Sequence, residues 1–211
     1  MVELLKVIPA FALTSLLLAV VPGQGVAMVL RQSIVGGARA AFTSVAGNST
    51  GLVIWGAASA IGLSQVFARS QTAYNVLKYA GVVFLIFLSV RTLWTLRNEY
   101  GEFDYNGLAR TGKGPAFRLG LLTNLTNVKA AVFAVAFIPA FVPKEFSLDG
   151  GIFILACVQA LVSTCWYIFL IAIVDRSSVY LAKPKVRRSL TAFSAAGILF
   201  LAISLLLASP R

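Results

Sequence analysis

Apolar residues fill this chain in long, nearly unbroken runs, without the 3.6-residue alternation of helices that face water on one side. Six runs are long enough to cross about 30 Å of hydrocarbon as helices. They cover residues 4–30, 40–67, 72–96, 119–142, 151–174 and 190–208. The longest polar stretch, 97–118, is too short to bury a core of its own. The pattern predicts an all-α membrane protein with six transmembrane helices. It reads as one transporter domain over residues 1–211, with halves at about 1–98 and 115–211 and a cytoplasmic linker at about 99–114.

The first run is expected to stay in place as a span. Glu3 and Lys6 cancel, so it lacks the basic start of a cleaved leader, and apolar sequence resumes after Pro22-Gly23-Gln24-Gly25. Orientation follows from lysine and arginine alone. Twelve of them fall in the first, third and fifth connections: Arg31 and Arg39; Arg91, Arg97, Arg110, Lys113 and Arg118; Arg176, Lys183, Lys185, Arg187 and Arg188. Five fall at the termini and in the second and fourth connections: Lys6, Arg69, Lys78, Lys144 and Arg211. The asymmetry predicts both termini on the periplasmic or external face of a bacterial inner membrane.

Each predicted half holds three spans, so a duplicated half would lie upside down relative to the other, the inverted-repeat plan of many secondary transporters. Corresponding spans of the two halves are interrupted by polar, helix-weakening residues. The first carries Pro22-Gly23-Gln24-Gly25, and the fourth carries Thr126-Asn127-Val128-Lys129. Proline removes a backbone donor and glycine lowers the cost of leaving the helix. The backbone groups so freed must be satisfied inside the protein or in a water-lined cavity. Matched interruptions of this kind point to a binding site near the middle of the membrane.

Composition narrows the chemistry. Hydrophobic residues make up 59% and charged residues 12%, about half the usual charge of a soluble domain. The net charge of +11 belongs to the connections, and no basic domain stands apart to bind nucleic acid. The chain has no histidine, which excludes histidine-ligated metals and histidine bases. Cys157 and Cys165, eight residues apart, are about 12 Å apart along a helix, too far for a disulfide; they read as small core residues. None of the seven acidic residues falls in the middle of a span. No cofactor is expected.

Lys129 is the most informative residue. A lysine at the centre of a span costs about 2.5–3.5 kcal/mol to insert. It lies about ten residues from either end of its span, roughly 15 Å, which is too far for its stem to reach the membrane surface with ease. A water-lined cavity in which Lys129 holds a substrate carboxylate is the functional reading; snorkelling is the bland one. Asn124 and Asn127 would add neutral hydrogen bonds, and Pro22, Gly23 and Gln24 would form the opposite wall. Asn48 faces either this cavity or a neighbouring helix. Gly47 with Gly51, and Ala58 with Gly62, have the spacing of small residues that lets helices pack closely or dimerise. Trp55, Trp94, Trp166 and Tyr167 fit interface belts or packing.

These positions resemble the lysine exporter family, the LysE/RhtB-type amino-acid translocators. The likeness covers nearly the whole chain. It rests on the Pro-Gly motif ending the first run, on Gly47 and Gly51, on the stretch from Leu77-Lys78-Tyr79 to Arg91-Thr92-Leu93, and above all on residues 117–131 with Asn124, Asn127 and Lys129. The resemblance implies six helices, export of amino acids driven by a proton or other cation gradient, and a homodimer. Gln24 and Gly25 stand where the family favours proline and aspartate, Val128 replaces a proline, and Leu52 occupies a position that is often acidic. Loss of both acids argues for a neutral amino acid or a similar small solute over a cationic one.

The expectation is therefore a secondary exporter with alternating access around a site between the first and fourth spans. A passive channel or facilitator would share the cavity. A membrane enzyme is disfavoured by the want of histidine, paired carboxylates and clustered cysteines. A non-transport membrane partner would leave Lys129 unexplained.

Overall fold

The computed structural model describes residues 2–21, 23–70 and 113–181, and single positions between 72 and 94 and between 189 and 206. Pro22, most of the third and sixth predicted spans, residues 99–112 of the linker and the basic segment 183–188 lie outside the described residues. Among the described residues every regular element is helical.

The first predicted span is two helices, α1 (Val2–Val20) and α2 (Gln24–Arg31). A π-helical turn, Gln32–Gly36, leads to Gly37, whose φ of 75° is open to glycine but rarely to other residues. The chain then enters α3 (Gly37–Arg69), 33 residues long and thus about 50 Å. The fourth predicted span is also broken. It comprises α4 (Lys113–Leu125), α5 (Val128–Val132), a second π-helical turn (Phe133–Phe137) and α6 (Ile138–Phe141). Its two limbs bend by 56° at Thr126 and Asn127. The fifth is α7 (Leu148–Leu181).

By length and composition, two described helices can cross a membrane: Val2–Val20, and Leu148–Val174 within α7; the bent pair makes a third if it is one span. Helix α3 is long enough but less apolar, because Ser44, Asn48, Ser49, Thr50 and Ser59 lie along it.

Lipid is as apolar as leucine, so helices within it associate through close packing and hydrogen bonds. Helices α3 and α4 show both. A Cβ at Gly47 would strike the carbonyl of Phe117, and one at Gly120 would strike the carbonyl of Ser44. The Ser44 hydroxyl lies 3.0 Å from the carbonyls of Ala40 and Ala116, which ties the two backbones together. The predicted small-residue face at Gly47 and Gly51 is thus a packing face within the chain. Ala58 and Gly62 differ: Ala58 is exposed, and a Cβ at Gly62 would meet nothing within 4 Å.

A phenylalanine cluster fixes α1 against the second limb of the broken helix. Phe11 lies 5.9 Å from Phe133 and 5.3 Å from Phe141, and Phe137 stacks on Phe133 at 4.7 Å. Such ring pairs contribute about 0.5–1.5 kcal/mol each. Phe133, Phe137 and Phe141 recur every four residues, the spacing of one helix face. Lys129 is one turn before this face, so the cluster carries it to the far end of α1. Cys157 and Cys165 are exposed, which corrects their reading as core residues. The inward face of α7 is instead given to Ile152, Leu155, Ala156, Gln159, Ser163 and Tyr167, and the cysteines fall on the outer side.

Candidate functional site

The site grows from two interrupted helices. In an unbroken α1 the carbonyl of Leu18 would accept from the amide of residue 22, but residue 22 is proline and has no N–H. The carbonyl of Val21 lies past the end of α1. Both face the Lys129 ammonium, which donates to Leu18 O at 3.1 Å and to Val21 O at 3.5 Å. Those carbonyls form the negative end of the α1 dipole, where a cation is favoured. Lys129 is partly buried and makes no ion pair among the described residues. Among the described residues the partners of the ammonium are backbone carbonyls, which solvate it by their dipoles.

Helix α2 begins on the other side of the same break. Gly23 is its N-cap, in an extended conformation and with no side chain to cap the first turn. The amide of Ala27 bonds to Gly23 O at 2.9 Å, while the amides of Gln24, Gly25 and Val26 have no partner inside α2. This end carries partial positive charge and suits an anion such as a carboxylate. Lys129 Nζ lies 3.6 Å from where a Cβ of Gly23 would stand. The break thus places a fixed ammonium beside the open end of a helix.

Asn127 holds the second break. Its side chain accepts from the Lys129 backbone N–H at 3.1 Å and caps α5. Its own N–H bonds to the carbonyl of Asn124 at 2.9 Å, and Trp55 Nε1 reaches the same carbonyl at 3.4 Å. Asparagine is suited to this because its short amide can replace a backbone partner at a helix start. Asn127 therefore sets the direction of Lys129.

Asn48 and Asn124 bridge α3 and α4. Asn124 Nδ2 donates to Asn48 Oδ1 at 3.2 Å, and each residue is only 2% exposed. Gly51 makes room for the pair, since a Cβ there would lie 2.8 Å from Asn124 Oδ1. That oxygen is buried and has no hydrogen-bond partner among the described residues.

The structure brings Gly23 and Lys129 together, and Asn48 and Asn124 together. Gly23 and Gln24 are exposed, and Pro22 lies outside the described residues. The sequence reading missed two participants. One is the pair of carbonyls at Leu18 and Val21, for which the proline four residues after Leu18 is the signal. The other is Tyr167 on α7, buried at 7% exposure. A Cβ on Gly25 would collide with its hydroxyl, and would lie 3.8 Å from Asn48 Oδ1. Glycine at position 25 is what lets the Tyr167 hydroxyl reach the start of α2. Its signal was the spacing of Gln159, Ser163 and Tyr167, four residues apart on one face of an otherwise apolar helix. Among the described residues no group of three or more histidines, cysteines or acids could hold a metal.

The family model described as LysE type translocator matches residues 16–209. The homoserine/homoserine lactone efflux proteins of Salmonella typhimurium and Salmonella typhi are each 34% identical over 203 residues, covering 96% of this chain and 96% of theirs. A membrane protein of Bacillus subtilis, YrhP, is 26% identical over 193 residues, with 88% of this chain and 90% of its own covered. No solved structure matches. With apolar membrane-length helices, a family match over nearly its whole length and relatives 34% identical over 96% of the chain, this chain belongs to the LysE-type translocator family.

Proposed function

We propose that the protein is a secondary exporter of a small neutral amino acid or a close relative, working by alternating access around the two helix breaks. The observation that carries this reading is the Lys129 ammonium. It sits at the break of the fourth predicted span and bonds to the carbonyls at the break of the first. Two of its three N–H groups are taken up there, and the third is available to a carboxylate seated at the open start of α2. Gln24, exposed at that start, supplies a further donor and acceptor. Asn48, Asn124 and Tyr167 form the neutral polar floor.

A neutral solute fits because the two positions where this family often carries an acid, 25 and 52, are not acidic here. Position 25 is glycine, and Leu52 is buried against Ala130 and Ala160. Relatives named for efflux of homoserine and its lactone support a solute of that size and polarity. The wider frame of the proposal is six spans in two inverted halves, both termini periplasmic, a bacterial inner-membrane location and a homodimer. Coupling to a proton or other cation gradient completes it.

The test is growth under challenge. Cells overexpressing wild type or Lys129→Met are exposed to toxic levels of homoserine, its lactone, other neutral amino acids and lysine analogues. Resistance to a neutral compound that Lys129→Met abolishes at equal membrane abundance supports the reading. Resistance that survives in Lys129→Met, or is confined to cationic compounds, overturns it.

A further inference from the structure

We propose that the broken end of α1 is a monovalent-cation site whose resident cation is the ammonium of Lys129. The inference goes beyond export and does not depend on it. Broken helices in membrane transporters commonly present freed carbonyls and helix C-terminal ends to a dissolved cation. Here the elements of such a site are built. The Leu18 carbonyl has lost its helical donor to a proline, the Val21 carbonyl lies past the last turn, and both lie at the negative end of α1. The occupant is tethered to the chain: Lys129 Nζ stands 3.1 Å from Leu18 O and 3.5 Å from Val21 O.

Three features make this a seat for a cation, beyond a convenient hydrogen bond. The ammonium has no carboxylate partner among the described residues, and the oxygens it bonds there are backbone carbonyls. Its position is imposed from behind by the Asn127 cap on its own N–H and by the phenylalanine cluster that begins one turn later at Phe133. Gly23 lies beside it, so that a Cβ there would stand in ordinary contact with Nζ at 3.6 Å. The consequence is chemical: with Lys129 in place no soluble alkali or ammonium ion is needed here. Truncating the side chain leaves the carbonyls facing a space of ammonium size.

Thermal unfolding of the purified full-length protein in detergent reads this without reference to transport. Wild type, Lys129→Ala and Lys129→Met are compared in choline, sodium, potassium and methylammonium chloride at equal ionic strength. Lys129→Ala is expected to unfold at a lower temperature in choline and to recover by about 2–4 °C, saturably, in methylammonium. Wild type, already occupied, and Lys129→Met, whose stem fills the space, are expected to be indifferent to the cation. Equal unfolding temperatures for Lys129→Ala in all four salts would overturn the proposal, as would an equal cation response in wild type. Should Lys129→Ala fail to fold in choline, its folded yield in methylammonium becomes the reading. Recovery there supports the site, and failure in every salt overturns it.

Discussion

Lys129 is placed by its neighbours along the chain. Asn127 turns its backbone and Phe133 anchors the turn that follows, so its ammonium arrives at the carbonyls of Leu18 and Val21. Loss of a charge-assisted hydrogen bond costs about 1.5–3 kcal/mol, and each 1.4 kcal/mol is tenfold. Lys129→Met is therefore expected to lower the export rate by about 10- to 100-fold, as measured by solute efflux at matched expression. Gly25 supplies a second test. Gly25→Ala drives a methyl into the Tyr167 hydroxyl and is expected to impair export. Adding Tyr167→Phe removes that oxygen and should restore much of the loss. A double variant no better than Gly25→Ala would show that the two residues do not meet. Lys129, Asn124 and Asn127 stood out in the sequence because polar residues are rare inside a span. Tyr167 stood out less, because a tyrosine in a membrane helix usually marks an interface; its spacing from Gln159 and Ser163 hinted at an inward face, and its proximity to Gly25 places it at the site.

At the scale of elements, the closeness of α3 and α4 is the strongest constraint. Backbone meets backbone at Gly47 and Gly120, and the Asn48–Asn124 hydrogen bond joins the residue after Gly47 on α3 to one a turn past Gly120 on α4. Overpacking a tight contact costs about 1–3 kcal/mol. Gly120→Val is expected to lower the unfolding temperature in detergent by several degrees, about 2–4 °C per kcal/mol. Gly62→Val, where a Cβ meets nothing within 4 Å, should change it little. Equal effects at the two sites would contradict the packing described. Helix breaks at both interruptions could be read in advance from proline, glycine and asparagine within apolar runs. The 56° bend could not, because its direction is set by the phenylalanine cluster and by contacts with α3. The exposure of Cys157 and Cys165 was missed for a related reason. In lipid the outer face of a helix is as apolar as the inner one, so hydrophobicity does not tell them apart.

The whole molecule is a helical membrane translocator, and its orientation is the prediction that belongs to this scale. Positive charge in the first, third and fifth predicted connections predicts that the segment near Asn106 faces the cytoplasm. A cysteine introduced there, in a Cys157→Ser/Cys165→Ser background, should react with a membrane-impermeant maleimide only in everted vesicles or permeabilised cells. Labelling in intact cells would reverse the assignment. Family and membrane character could be read from the sequence because the apolar runs and the motif at 117–131 are local. The expectation that the first and fourth spans share a site rests on their paired interruptions, but the contact itself joins residues 111 apart, Leu18 and Lys129, and no local pattern names those carbonyls as the partners of the ammonium.

The central claim, an energised exporter built around that meeting point, is tested most directly by homoserine uptake into everted membrane vesicles. Energised vesicles bearing wild type should accumulate the solute above its outside concentration, and vesicles bearing Lys129→Met should not. Equilibration without accumulation in wild type would mean a passive pathway, and undiminished accumulation in Lys129→Met would remove the ammonium from the mechanism; either result contradicts the account.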